Sequence, residues 1–265
     1  MILTLIVLLG LLGPVAASDT PVPHPPDLEA GEFDPAAWDT LLRTYVVAGG
    51  VDYARWKADG TAALDAFLED AAGYDLGSVF GKEPKAGFLI NVYNAWVVRQ
   101  VLEHYPLETV DDVKGFFDEN SVVVGGTPMT LDAIEARLAE LMRQAPRTLF
   151  ALAPAMSGYP RLRGWAYTSA RLEEGVGEAC REYFDRTGLR FDRETRELTL
   201  NPVLEEHLHR FEAPPGGLRR FVAGFLSVGQ VVALGDEEMA LVFPHPDRSL
   251  DDAGGAEAGS GTDRR

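Results

Sequence analysis

One stretch limits the fold of this chain more than any other. Phe88, Val92, Ala95, Trp96 and Val98 to Leu102 spell a long, strongly apolar helix that Pro106 stops. Two amides, Asn91 and Asn94, interrupt that run. Spaced by three, they share one side of the helix. With 265 residues, 46% of them hydrophobic, the chain can bury a full core as one large domain, or as a domain with a small appendage.

The remaining segments are shorter. Asp34 caps a helix that takes Pro35 at its first position and carries Trp38, Leu41, Leu42 and Tyr45, and Gly49-Gly50 ends it. Leu64, Phe67 and Leu68 mark a second helix before Gly73. Ser121 to Val124 is a β-branched run before the turn Gly125-Gly126. Thr130 caps a helix with Ile134, Leu138 and Leu141, and Thr168 or Ser169 opens one with Leu172, Val176, Cys180 and Phe184. Leu189 to Phe191 and Leu198 to Leu200 pair across Arg193 to Arg196. Leu218, Phe221, Val222 and Phe225 form another helix, and Val231 to Leu234 with Met239 to Phe243 form a late hairpin. Helices outnumber strands, and strands come as hairpins rather than alternating with helices. The class is α+β, a helix-rich single domain with short antiparallel hairpins.

The ends differ from this body. Met1 to Ala17 is apolar and uncharged, and Val15-Ala16-Ala17 offers a cleavage site, so residues 1–17 read as a signal peptide although no Lys or Arg precedes the run. As an uncleaved anchor it would reach only about 25 Å, short of the bilayer core. With no Cys beside Ala17 to take a lipid, the expected product is periplasmic or secreted, with no stable membrane anchor once the signal is cleaved. Residues 18–32 form a Pro-rich, flexible leader, 33–251 the folded domain, and 252–265 a disordered tail of Gly, Ala, Ser and charge. The single Cys allows no internal disulfide. A formal charge of -17 argues against nucleic acid and anionic lipid heads as partners.

Several segments, in order, resemble the domain of unknown function 547 family. They are GGVDYA (49–54), GFLINVYNA (87–95), LEHYP (102–106), GGTPMTLDAIE (125–135), SGYPRLR (157–163), Ala166-Tyr167-Thr168, Leu198-Thr199-Leu200 and DRSLD (247–251). The resemblance implies a fold related to papain-like and transglutaminase-like cysteine enzymes. It also implies a loop Cys as nucleophile and a His after the Ile-Glu pair as its base. At those two positions stand Tyr159 and Ala136. Leu149 replaces a usual His, Pro154 a frequent Cys, and Arg248 a usual Trp. A phenol with an ordinary pKa near 10 is protonated at neutral pH, and a methyl group moves no proton, so the coupled pair is gone.

Other reactive residues restore nothing by their pattern. Cys180 sits on an apolar stripe and reads as a core thiol. His207 and His209, two apart beside Glu205 and Glu206, read as a solvated helix face rather than a metal site. His104 closes the long helix, where an imidazolium suits the dipole. Asn91 and Asn94 either pin neighbouring loops or line the old cleft, and Glu135 is either a carboxylate in that cleft or a charge of its own helix. The expectation is therefore an exported relative of cysteine peptidase-like enzymes with no catalytic residue, metal or cofactor, a pseudoenzyme. It would bind a peptide-like ligand or partner protein in a remnant cleft of Tyr159, Ala136, Glu135, Asn91 and Asn94. The alternative is an active hydrolase or acyltransferase with relocated groups, among them Glu135, Tyr159 and His104.

Overall fold

The computed structural model describes residues 28–143, 145–187, 190–192, 194–200, 203–211, 217–225, 231 and 240–254. The expected signal peptide, most of the leader and tail, and the first arm of the late hairpin beyond Val231 lie outside these residues.

The order is α1 (Ala36–Tyr45), β1 (Val46–Val47), β2 (Gly50–Val51), α2 (Tyr53–Asp59), α3 (Thr61–Gly73) and α4 (Lys82–His104). Then come β3 (Ser121–Val124), β4 (Thr127–Thr130), α5 (Leu131–Leu141), α6 (Leu172–Thr187), β5 (Arg190–Asp192) and β6 (Glu197–Thr199). The last described elements are α7 (Val203–Glu206), α8 (Leu208–Phe211), α9 (Gly217–Ala223) and β7 (Ala240–Val242). The fold is α+β and helix-rich, with antiparallel pairs β1–β2, β3–β4 and β5–β6. β7 pairs in parallel with β6 as the third strand of that small sheet, a pairing additional to the expected hairpins.

The chain's local chemistry explains the element ends. The Thr130 hydroxyl accepts the Ala133 N–H at 3.2 Å and opens α5. Asp34 accepts from Ala36 N at 2.9 Å, although Pro35 occupies the N-cap itself. α4 begins earlier than the apolar run, takes Pro84 into its first turn, and is buried along most of its length. Its two amides are buried and hold two loops. Asn91 donates to Tyr167 O at 2.7 Å and accepts from Tyr167 N at 2.9 Å. Asn94 donates to Ala151 O at 2.9 Å and accepts from Ala153 N at 2.9 Å.

Both ends of the domain extend further than the sequence implies. Glu32, placed in the flexible leader, accepts from the Ser169 N–H and hydroxyl at 2.6 Å each. Asp252, placed in the tail, accepts from the Tyr105 hydroxyl at 2.8 Å, and Ala253 N–H donates to Val51 O at 3.0 Å. Both anchors join residues far apart in sequence, which composition cannot reveal.

The closing segment, residues 247–253, runs between two parts of the body. On one side Ser157 N–H donates to Ser249 O at 2.8 Å and Gly158 N–H to Asp247 O at 2.7 Å. On the other, Val51 N–H donates to Asp251 O at 3.0 Å, and the Tyr53 hydroxyl donates to the buried Asp251 carboxylate at 2.7 Å. Gly50 has φ +155, and a Cβ there would lie 2.1 Å from Asp251 O. Gly50→Ala should therefore lower stability by on the order of 2–4 kcal/mol. A urea midpoint shift by circular dichroism checks this, and an unchanged midpoint would show that the closing segment is not seated there.

Candidate functional site

The loop Ser157–Pro160 is fixed from three directions. Behind it, Arg186 of α6 donates to Ser157 O at 2.6 Å and to Tyr159 O. Beside it lies the closing segment, so close that a Cβ on Gly158 would sit 2.6 Å from Asp247 N. In front, the Tyr159 hydroxyl donates to Glu206 Oε1 at 2.7 Å and accepts from Arg248 Nη1 at 2.7 Å. Arg248 also grips Asp111 with two N–H groups and lies 5.6 Å from the Tyr159 ring centroid. That guanidinium holds the Asp111 carboxyl below its ordinary range. Burial, then the hydrogen bond to Glu206, pushes the Tyr159 phenol far above 10.

Tyr159 forms part of the wall of a cavity of about 520 Å³. Leu149, Leu152, Pro154 and Met156 give it an apolar side, and Tyr93 stands at its α4 wall. Asp118, Asp132, Glu135 and Glu206 give it an acidic one. Burial raises Glu135, and Arg210 opposes this through an ion pair. Asp132 is raised by burial and by Asp118.

The expected cleft residues separate. Tyr159 and Glu135 share the cavity, whereas Asn91 and Asn94 lie outside its lining, committed to the loops behind it. Ala136 is exposed and borders a different groove with His209 and Arg210. α5 turns Glu135 toward this cavity and Ala136, about 100° further round the helix, toward the neighbouring groove. His104 lies outside it too, its Nδ1 2.9 Å from Gln100 O at the end of α4. Cys180 is buried, its thiol pushed up to about 12 by desolvation, with Sγ 3.7 Å from Arg147 O.

His207 and Arg248 are the site groups that the sequence reading misplaced or passed over. His207 is not on a solvated face: its side chain is 17% exposed and lines the cavity, with Nδ1 3.5 Å from Glu135 Oε1. It follows Glu206 at the end of α7, and that short helix was not readable from its flanks. Its pKa is lowered to about 4 by burial first, then by Arg210 and His209. Arg210 neutralises Glu135, which leaves that carboxylate little hold on an imidazole proton. Among the described residues no group of three or more His, Cys, Asp or Glu could hold a metal ion.

A family model described as "Protein of unknown function, DUF547" matches residues 78–184. Asn91, Asn94, Glu135 and Tyr159 fall inside that range, while Glu206, His207 and Arg248, which complete the cavity, fall outside it. No curated protein and no solved structure matches the chain.

His207 has a consequence for stability. Its folded value of about 4 lies below its ordinary 6.5, so between those values the unfolded chain takes up a proton that the folded one refuses. Stability should fall as pH drops through this window, by on the order of 1–3 kcal/mol from this group. Urea denaturation at pH 6.5 and 4.5 checks it. The wild type should lose more than His207→Gln, and equal losses would contradict a buried neutral imidazole.

Proposed function

Since the chain belongs to the DUF547 family through residues 78–184, we propose that it is an exported, non-catalytic relative of cysteine peptidase-like enzymes. In this reading it binds a peptide-like segment in the cavity beside Tyr159. One observation carries the reading. Of the five positions at which the sequence departs from the family's usual reactive or aromatic residues, four, Leu149, Pro154, Tyr159 and Arg248, line the same cavity, and the fifth, Ala136, borders the neighbouring groove. Two of them, Tyr159 and Arg248, are hydrogen-bonded to each other. The departures therefore replace a reactive centre with a wall of apolar, aromatic and paired polar groups, a composition suited to holding a ligand.

The chemistry supports the same direction. Tyr159 keeps its proton, and its hydroxyl already has a donor and an acceptor, so it is a poor nucleophile. The thiol of Cys180 borders another cavity and is protonated at neutral pH. The apolar side suits the side chains of an extended peptide, and the carboxylates of Asp118 and Asp132 favour a peptide bearing a Lys, an Arg or a free amino terminus. Export to the periplasm or medium rests on the apolar first 17 residues; no helix of the described residues is long and apolar enough to cross a membrane.

A second reading has its own support. His207 is a neutral imidazole in the same cavity, 3.5 Å from Glu135, so a relocated base is at hand for a hydrolase or acyltransferase. An affinity selection separates the two readings. Immobilised protein is exposed to a combinatorial hexapeptide mixture, and the retained species are read by mass spectrometry. Binding without chemistry predicts intact basic peptides, retained about tenfold less by Tyr159→Ala. Shortened peptides, whose appearance His207→Gln abolishes, would establish the second reading.

A further inference from the structure

A second site lies away from the Tyr159 cavity, between the start of α4 and the end of α5. There Lys85, Arg137 and Arg143 border a groove of about 530 Å³. Its apolar lining comes from Leu76 and Leu89, both buried, and from the half-buried Leu141. Lys82 joins Arg143 in an adjoining hollow, and Glu140 is the one carboxylate in the lining of either.

The charge pattern is what calls for a ligand. The chain has 41 acidic and 24 basic side chains, so a cation can readily find a carboxylate. Several do: Arg99 pairs with Asp65 at 2.5 Å, Arg186 with Glu182 at 3.0 Å and Arg248 with Asp111 at 2.5 Å. Lys85, Arg137 and Arg143 make no ion pair or hydrogen bond among the described residues, and they converge on one concavity. Three like charges around one hollow repel each other, and an anion placed between them relieves that repulsion. Cations on an open, convex face need no such partner, because water serves them. Here the Leu76, Leu89 and Leu141 surface makes the hollow a poor place for water and a good one for hydrocarbon.

We propose that this groove binds a small amphiphilic anion, a carboxylate or phosphate monoester carried on an apolar chain or ring. Arg137, Arg143 and Lys85 hold the charged head, with the guanidinium groups suited to two-pronged contact with its oxygens. The apolar part lies on Leu76, Leu89 and Leu141. The volume is within the range of small-molecule sites. A free molecule is favoured over an anionic bilayer, because the net charge of -17 repels an extended negative surface while a single head group meets only the local cations.

Isothermal titration of the full chain tests this with decyl phosphate and decanoate, each below its micellar concentration. Inorganic phosphate and phosphatidylglycerol vesicles are titrated alongside. Both amphiphiles should bind, more weakly as salt is raised, and Arg137→Glu/Arg143→Glu should weaken them about tenfold or more. Both arginines are exposed, and an unchanged urea midpoint verifies that the variant folds. Leu141→Ser should weaken decyl phosphate but not inorganic phosphate. The proposal is overturned if inorganic phosphate binds as tightly as decyl phosphate, or if the charge-reversed variant binds the amphiphiles as the wild type does. Binding to vesicles with no response to either free amphiphile would likewise overturn it, identifying a membrane-docking face instead.

Discussion

The backbone of residues 247–253 is the constraint on which the rest of the structure depends. It can lie between Gly50–Val51 and Ser157–Gly158 because neither glycine has a side chain, and a Cβ at either would meet a backbone atom within 2.6 Å. Once seated, the strip is held by backbone hydrogen bonds to both neighbours and by the buried Tyr53–Asp251 contact. Burial raises the Asp251 carboxyl and the Tyr53 hydroxyl opposes it, so the pair is a polar anchor in a region with little water. The placement of Arg248 follows. Its guanidinium reaches both Asp111 and Tyr159, residues 137 and 89 positions away in the chain.

A second anchor works from the opposite side. Asn91 and Asn94 each exchange two hydrogen bonds with loop backbone, fixing residues 151–153 and 167 to α4. Between those points lies the loop that carries Tyr159. Helix, closing strip and Arg186 thus hold one tyrosine in place, and its hydroxyl enters a bridge between Arg248 and Glu206. Such a bridge orders the cavity wall while leaving the phenol protonated. That arrangement supports the proposed recognition role, since Glu206 and Arg248 are both already bonded to the hydroxyl.

Much of this was legible in the residues. The apolar run through α4, the Thr130 cap, the Gly125-Gly126 turn and the stripe on α6 are local patterns, and local patterns survive into the fold. That Asn91 and Asn94 pin neighbouring loops was one of two readings open from the residues, and Tyr159 drew notice because the family resemblance implies a Cys at its position. What failed to show is what arrives from a distance. Nothing near Glu206 or His207 says that α7 closes a cavity begun by Glu135 and Tyr159. Nothing in a tail of Asp, Ala and Gly says that Asp252 and Ala253 bind Tyr105 and Val51. The parallel pairing of β6 with β7 is equally non-local. That Ala136 borders a different groove from Glu135 depends on what packs around α5, which the motif's spacing does not disclose.

The protonation of Tyr159 tests the account most directly. Tyrosine labelled with carbon-13 at Cζ gives each phenol a resonance that moves on ionisation, and Tyr159→Phe assigns the signal. The account predicts that the Tyr159 signal stays at its protonated position up to about pH 11, while exposed phenols titrate near 10. A midpoint well below 10 would mean an activated phenolate beside Arg248, and would contradict the reading of Tyr159 as a binding residue.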